Sequence, residues 1–320
     1  MRKALVVGLN GYPGNNSLSC CNNDAIEIAE LLQRNGDGSI NFDIFKIIDK
    51  CSVSELKEAI EMTFADNDDV ALFYFSGHGC VDGTLTYICT TDGSGVNMAE
   101  IISIVNNSRA TNKVVILDCC FAGSIGTILL ENDVSALAKG VTIIAASESW
   151  QPSLEEPEIC HGVFTNLLIE GLKGGAANIN GIITPASLYS FVDQSLGAWS
   201  QRPVFKTNVS CLLDIRKVIP RVTTEQIRLL SQYFINQQDD YKLDPSFEYT
   251  NTPEEEHLVV EPYADEEHVK ILKNLQLFES VGLVEPVGEK HMYWAAMHGK
   301  SCRLTALGKH YWRLAKHNRI

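Results

Sequence analysis

Two apolar runs, Ala71-Leu72-Phe73-Tyr74-Phe75 and Val114-Val115-Ile116-Leu117, constrain this chain more than any other feature. Both have strand length and β-branched or aromatic character, and neither alternates with polar residues. Strands that are apolar on both faces belong in a parallel sheet with helices packed on each side. Extended to their ends, the runs give strand candidates Val70–Ser76 and Val114–Cys119. Similar segments stand at Ala4–Gly8, Phe42–Ile48, Val141–Ala146 and Ser210–Ile215. Amphipathic stretches at Asn23–Arg34, Val53–Phe64 and Met98–Asn106 lie between them. In the first, two stripes compete for the core face, Ile26/Ala29/Leu32 and Ile28/Leu31. Ser52 and Glu55 have capping-box spacing where the second begins. Strand and helix in alternation predict an α/β fold, a mainly parallel sheet sandwiched by helices.

With 320 residues, 45% of them hydrophobic and 21% charged, the chain can build one substantial core and a second small domain. No apolar run approaches the roughly 18–20 residues of a membrane span. The apolar part of the first residues is too short for a secretory signal, so a cytoplasmic, reducing location is expected. The ten cysteines fit that location. Cys20-Cys21 and Cys119-Cys120 are adjacent pairs, and none of the ten has zinc-site spacing. One reactive thiol among small core residues is expected, with no metal and no disulfide framework. The net charge of −14 is uneven. Residues 1–220 hold 14 basic against 25 acidic side chains, whereas 286–320 hold seven basic against Glu289 alone. An acidic body suits basic partners, and the basic tip suits an acidic one.

Both apolar runs end on residues that can do chemistry. Ser76-Gly77-His78-Gly79 follows one, and Asp118-Cys119-Cys120-Phe121-Ala122-Gly123 the other. In an open parallel sheet, ligands collect beyond the carboxyl ends of the strands. A thiol and an imidazole delivered there form a nucleophile–base pair, and such proton transfer is worth about 10²–10⁴-fold. Gly77 and Gly79 permit close backbone approach, and Gly123 serves the following turn. The backbone N–H groups of Gly79 and Cys120 are candidate oxyanion donors.

At this point the sequence resembles the caspase-like peptidases, and within them the metacaspases and their bacterial relatives. The match runs through Lys3–Gly8 leading to Cys20-Cys21-Asn22-Asn23-Asp24-Ala25, then Tyr74–Gly79, then Ile116–Gly123. It closes with Gly162-Val163-Phe164-Thr165, Leu168, Glu170-Gly171-Leu172 and Gln201-Arg202-Pro203. The resemblance implies a caspase-like fold for residues 1–216 and a cysteine endopeptidase acting on proteins. It makes Cys120 the nucleophile, Cys119 its neighbour and His78 the general base. It places Asp24 and Asp118 in the S1 pocket, with Cys21 and Ser76 beside them. Two carboxylates there favour Arg or Lys at P1. The caspase signature proper, with its histidine about 50 residues before the cysteine, is not met: His78 stands 42 residues before Cys120, and the motif around the cysteine is different. Phe121-Ala122 departs from the metacaspase pattern after the nucleophile. In 121–140, Lys139 is the one basic candidate for self-processing. Glu148, Glu155 and Glu156 are further candidates for the cleft. Some metacaspases require calcium; no EF-hand-type loop occurs here, and calcium dependence stays open.

Residues 217–265 read as a linker with a connecting helix, rich in Asp, Glu, Pro and Asn around 237–267. Residues 266–320 read as a small α+β, winged-helix-like domain: a helix from Glu266 through Leu277, a hairpin of Gly282–Val287 with Met292–Met297, and a helix from Thr305 to His317. A regulatory role for this domain, binding an activating ligand or partner, is preferred to nucleic-acid binding through its basic flank. The alternative to a regulated stress or immune peptidase is a catalytically silent scaffold or DNA-binding regulator. Asn10-Gly11-Tyr12-Pro13-Gly14 lacks dinucleotide-fingerprint spacing, so a nucleotide site is set aside.

Overall fold

A computed structural model describes residues 1–120, 137–146, 155–156, 160–196, 202–209, 211–250 and 264–320, with main chain alone at 155–156. They fall into two units, Met1–Ile219 and Pro220–Ile320. The first opens with β1 (Arg2–Gly8), α1 (Cys21–Gln33), β2 (Asp43–Ile48), α2 (Val53–Phe64) and β3 (Val70–Ser76). Three short strands follow, β4 (Gly79–Asp82), β5 (Leu85–Cys89) and β6 (Gly95–Asn97), then α3 (Met98–Asn107) and β7 (Asn112–Asp118). Next come β8 (Val141–Ala145), β9 (Glu155–Glu156), β10 (His161–Gly162) and α4 (Val163–Glu170). The unit ends with β11 (Ile182–Ile183), α5 (Pro185–Leu196), β12 (Val204–Asn208) and β13 (Arg216–Lys217).

Six strands form the central sheet in the order β12-β8-β7-β3-β1-β2, and every neighbouring pair is parallel except β12 with β8. All seven residues of β3 and of β7 are buried, as two-sided apolar strands require. Leu56, Ile60, Ile101 and Val105 of α2 and α3 cover one face, against Phe73 and Val115. Ile28, Leu32, Phe164 and Leu188 of α1, α4 and α5 cover the other, against Leu72 and Ile116. The competing stripes of α1 are settled by packing. Ala25, Ile28, Ala29 and Leu32 are buried, whereas Ile26 is 38% exposed. Ser52 and Glu55 make the expected capping box at α2.

Within the first unit, one strand and one small sheet differ from the sequence reading. The sixth strand is Val204–Asn208, not Ser210–Ile215. It pairs at the sheet edge, where Thr207 meets Thr142 at 2.9 Å, so half-exposed polar residues hide its strand character. Leu213 and Ile215 are buried without forming a strand there, and Leu212 is 82% exposed. The antiparallel sheet β4-β5-β6 was not foreseen. Its inward residues include Thr86, and its outward ones Tyr87 and Cys89, so polarity does not track burial.

The second unit contains α6 (Thr224–Tyr233), β14 (Asp240–Lys242), α7 (Glu266–Ser280), β15 (Val284–Val287), α8 (Met292–Met297), β16 (Ser301–Leu304) and α9 (Ala306–Lys316). Its sheet is antiparallel in the order β14-β16-β15. Met292–Met297 is therefore a helix, not the second hairpin strand, and Ser301–Leu304 pairs with β15 instead. Met292, Ala295 and Ala296 recur at helical spacing on a buried face, which a strand would split between two faces. Trp312 and Tyr311 of α9 are buried rather than presented to solvent. The Trp312 indole N–H donates to the Phe234 carbonyl at 2.7 Å, tying α9 to the end of α6.

Candidate active site

The register of β3 with β7 sets Ser76 opposite Asp118. His78 and Cys120 thus each stand two residues past a paired position at the carboxyl end of the sheet. The two exit segments run against each other: Gly77 N–H donates to Asp118 O at 3.2 Å. A Cβ on Gly79 would sit 2.1 Å from the Cys120 carbonyl oxygen, so only glycine lets the chains approach this closely. Adjacent cysteines point to different environments. Cys119 is fully buried in the core on the α2 and α3 face, and its thiol is pushed well up, by burial first and then by the charge of Asp118. Cys120 is half-buried.

Two residues from a segment with no assigned role hold His78. Its Nε2 lies 2.7 Å from the Asn16 carbonyl. A carbonyl can only accept, so Nε2 carries the proton and Nδ1 is the basic nitrogen of the neutral ring. The His78 backbone N–H donates to the Tyr12 hydroxyl at 2.9 Å, and that hydroxyl donates to the Cys89 carbonyl at 3.1 Å. The Tyr12 ring lies 4.5 Å from the imidazole, and burial raises its phenol well above the usual range, so it stays neutral. Gly77 is required beneath it, because a Cβ there would reach to 2.5 Å of the hydroxyl.

The predicted S1 residues gather at the same strand ends. Asp24 on the first turn of α1 is 1% exposed and Asp118 at the end of β7 is 4% exposed. Both face Gly162, where a Cβ would stand 2.7 Å from one carboxylate and 3.4 Å from the other. Ser76 Oγ donates to Asp24 at 2.8 Å. Tyr74 OH lies 2.6 Å from Thr165 Oγ1, which donates to Asp118 at 2.7 Å, so Thr165 of the Gly162–Thr165 segment holds that carboxylate in place. Burial, and then the charge of Asp118, push the Asp24 carboxyl up to about 7. Cys21 is buried one turn before Asp24, with its carbonyl against Gly8.

Like Asn16 and Tyr12, His161 was missed by sequence reasoning. Its Nδ1 is 2.8 Å from Asp24 and its Nε2 is 3.1 Å from Glu27, which Lys173 meets from the other side at 2.9 Å. The Gly162 N–H adds a hydrogen bond to Asp24 at 3.2 Å. The one available signal was position: His161 directly precedes the matched Gly162. Phe121, Ala122, Gly123, Glu148 and Gln201 lie outside the described residues, and only the main chain of Glu155 and Glu156 is described. Among the described residues no group of three or more His, Cys, Asp or Glu could hold a metal ion. No helix among them is long and apolar enough to cross a membrane.

Comparison with known proteins gives the family and the fold. The caspase domain family matches residues 1–223. Among solved structures, a structural-genomics protein from Geobacter sulfurreducens is 19% identical with a TM-score of 0.51, covering 68% of this chain and 97% of its own. Caspase-1 from Spodoptera frugiperda is 14% identical with a TM-score of 0.51, covering 68% of this chain and 90% of its own. No curated protein matches the chain.

Proposed function

We propose, from the premise that this chain belongs to the caspase-domain family and is a cysteine endopeptidase, that it cuts proteins after Arg or Lys through a Cys120–His78 dyad. In this reading Cys120 Sγ attacks the scissile carbonyl carbon while His78 Nδ1 takes the thiol proton. The backbone N–H groups of Gly79 and Cys120 meet the oxyanion, each worth about 10²-fold or more. The imidazolium then protonates the leaving amine. A water activated by the same imidazole hydrolyses the acyl-enzyme. Asn16 and Tyr12 are positioning residues that fix the tautomer and the ring.

The observation that carries the basic specificity is the buried Asp24–Asp118 pair beside the dyad. Two adjacent carboxylates repel, and a cation placed between them relieves the repulsion. The His161 ring nitrogen 2.8 Å from Asp24 supports this reading, since it shows a nitrogen-bearing group accommodated against that carboxylate. In the second unit, the first turn of α7 presents Glu266 and Glu267, and Lys270 is engaged by both. Burial of Tyr311 and Trp312 takes the aromatic side chains of α9 off its surface, which favours a regulatory, winged-helix-like module that binds a partner or activating ligand over a nucleic-acid reader. Sheet order β14-β16-β15 with α7 leading into the β15–β16 pair supports the same reading. A cytoplasmic stress or immune effector is the role that fits a peptidase so regulated.

Hydrolysis of fluorogenic peptides ending in Arg, Lys or Asp, by wild type and Cys120→Ala with and without calcium, tests the proposal. Activity on Arg or Lys that vanishes in the variant supports it. Cleavage after Asp overturns the pocket, and activity that survives in Cys120→Ala overturns the dyad.

A further inference from the structure

We propose that Cys80 and Cys89 form a redox-active thiol pair, converted to a disulfide by hydroperoxides, on the wall of an open pocket beside His78. In the β4–β5 pair, Cys80 is opposite Tyr87, so Cys89 is its diagonal neighbour on the same face. Burial agrees: Thr86 and Ile88 point inward, while Tyr87 and Cys89 share the open side with Cys80. The strand register thus sets the two sulfurs side by side on that face, close enough for the charge of each to act on the other. Both line a pocket of about 720 Å³ together with Tyr12, Val53, His78 and Tyr87. A small peroxide therefore has a route to the pair.

Surroundings divide the labour between the two sulfurs. Cys80 is exposed, as an attacking thiol must be. Cys89 is half-buried, and burial together with Cys80 pushes its thiol up to about 12, so it keeps its proton until called on as the resolving thiol. The Cys80 thiolate attacks one peroxide oxygen; the O–O bond breaks, and the other oxygen leaves as hydroxide or alkoxide and takes a proton. Cys80 is now a sulfenic acid. Cys89 sulfur attacks it, the S–S bond forms, and hydroxide departs with the Cys89 proton as water. Two thiols have given two electrons to one peroxide.

Closing this bond strains the backbone that holds His78. Diagonal neighbours in an antiparallel pair stand about 7–8 Å apart at Cα, whereas disulfides span at most about 6.8 Å, so β4 and β5 must draw together by about 1 Å. Cys89 N–H donates to the His78 carbonyl at 2.8 Å, and Tyr12 bridges the same two residues. On the peptidase reading above, on which this consequence alone rests, a shift of about 1 Å in the base lowers turnover by up to about 10²-fold.

Peptide mapping of the full chain after limited hydrogen peroxide, alkylation and trypsin tests the pair. The fragment from Glu58 to Arg109 lies between consecutive basic residues and carries Cys80 and Cys89 as its two cysteines. It is expected to lose two hydrogens and to resist alkylation until reduced, equally in wild type and in Cys120→Ser. Cys80→Ser and Cys89→Ser should each remove that signal. Two thiols that still alkylate after oxidation overturn the proposal, as does a disulfide that requires Cys120. A disulfide found in a chain with no peptidase activity when reduced would leave the thiol pair standing and fail the peptidase reading instead.

Discussion

Titrating Asp24 probes the charge of the proposed S1 pocket directly. Its carboxyl is raised from 3.8 to about 7, by burial first and by Asp118 second, with hydrogen bonds from His161 and Ser76 pulling the other way. Below that pH Asp24 adds no charge to the pocket, and above it the carboxylate does. A guanidinium that needs the ionised Asp24 should therefore bind with a Kd that is level above about pH 7 and rises about tenfold for each unit below it. Between pH 8 and pH 5 the loss is about 10²-fold, or about 2.7 kcal/mol. Calorimetric titration of Cys120→Ala with a short alkylguanidine measures this without chemistry at the thiol. Asp24→Asn should abolish the slope and weaken the plateau by about 10²-fold or more, since breaking a buried ion pair costs about 3–5 kcal/mol. His161→Gln separates the protonation of the facing imidazole from that of Asp24. The same shift bears on stability. An acid whose folded pKa is raised holds its proton in the native state between about 3.8 and 7, where the unfolded chain has lost it, so stability falls as pH rises through that window. A Kd that stays constant from pH 5 to 8, or a slope that persists in Asp24→Asn, would refute the reasoning.

Other substitutions follow from single contacts. Tyr12→Phe removes the hydroxyl that links His78 N–H to the Cys89 carbonyl; it should lower kcat about tenfold with little change in KM, and cost about 1–3 kcal/mol in urea unfolding. Cys119→Ala should keep most peptidase activity while costing about 1 kcal/mol of stability, because its thiol packs in the core. Gly79→Ala drives a methyl into the Cys120 carbonyl, and about 1–3 kcal/mol of destabilisation with near-complete loss of turnover is expected from thermal melts and peptide hydrolysis. Trp312→Phe deletes the hydrogen bond to the Phe234 carbonyl and should lower the melting of the second unit by about 1 kcal/mol or more, read by tryptophan fluorescence.

Much of the first unit was legible because its strands are apolar on both faces and its helices carry ordinary signals. Val70–Ser76 and Val53–Phe64 were bounded by composition and capping alone. Elements half-exposed at an edge were not legible: β12 has no buried position, and β5 buries Thr86 while exposing Leu85, so their periodicity says little. Met292–Met297 misled because a short apolar run satisfies either period until its partner is known.

The sequence alone determined which residues can react and which strands carry them, since a thiol or imidazole past a strand's carboxyl end is a local, one-dimensional fact. It also named Asp24, Asp118 and Ser76 through resemblance. Tertiary structure alone decided what surrounds them. Asn16, Tyr12 and His161 act on His78 and Asp24 across 62, 66 and 137 residues of chain. The rise of Asp24 to about 7 comes from burial and a second carboxylate, neither of which exists before the chain folds. Side-chain chemistry is written in residue type, but its protonation and aim depend on desolvation and on neighbours distant in sequence.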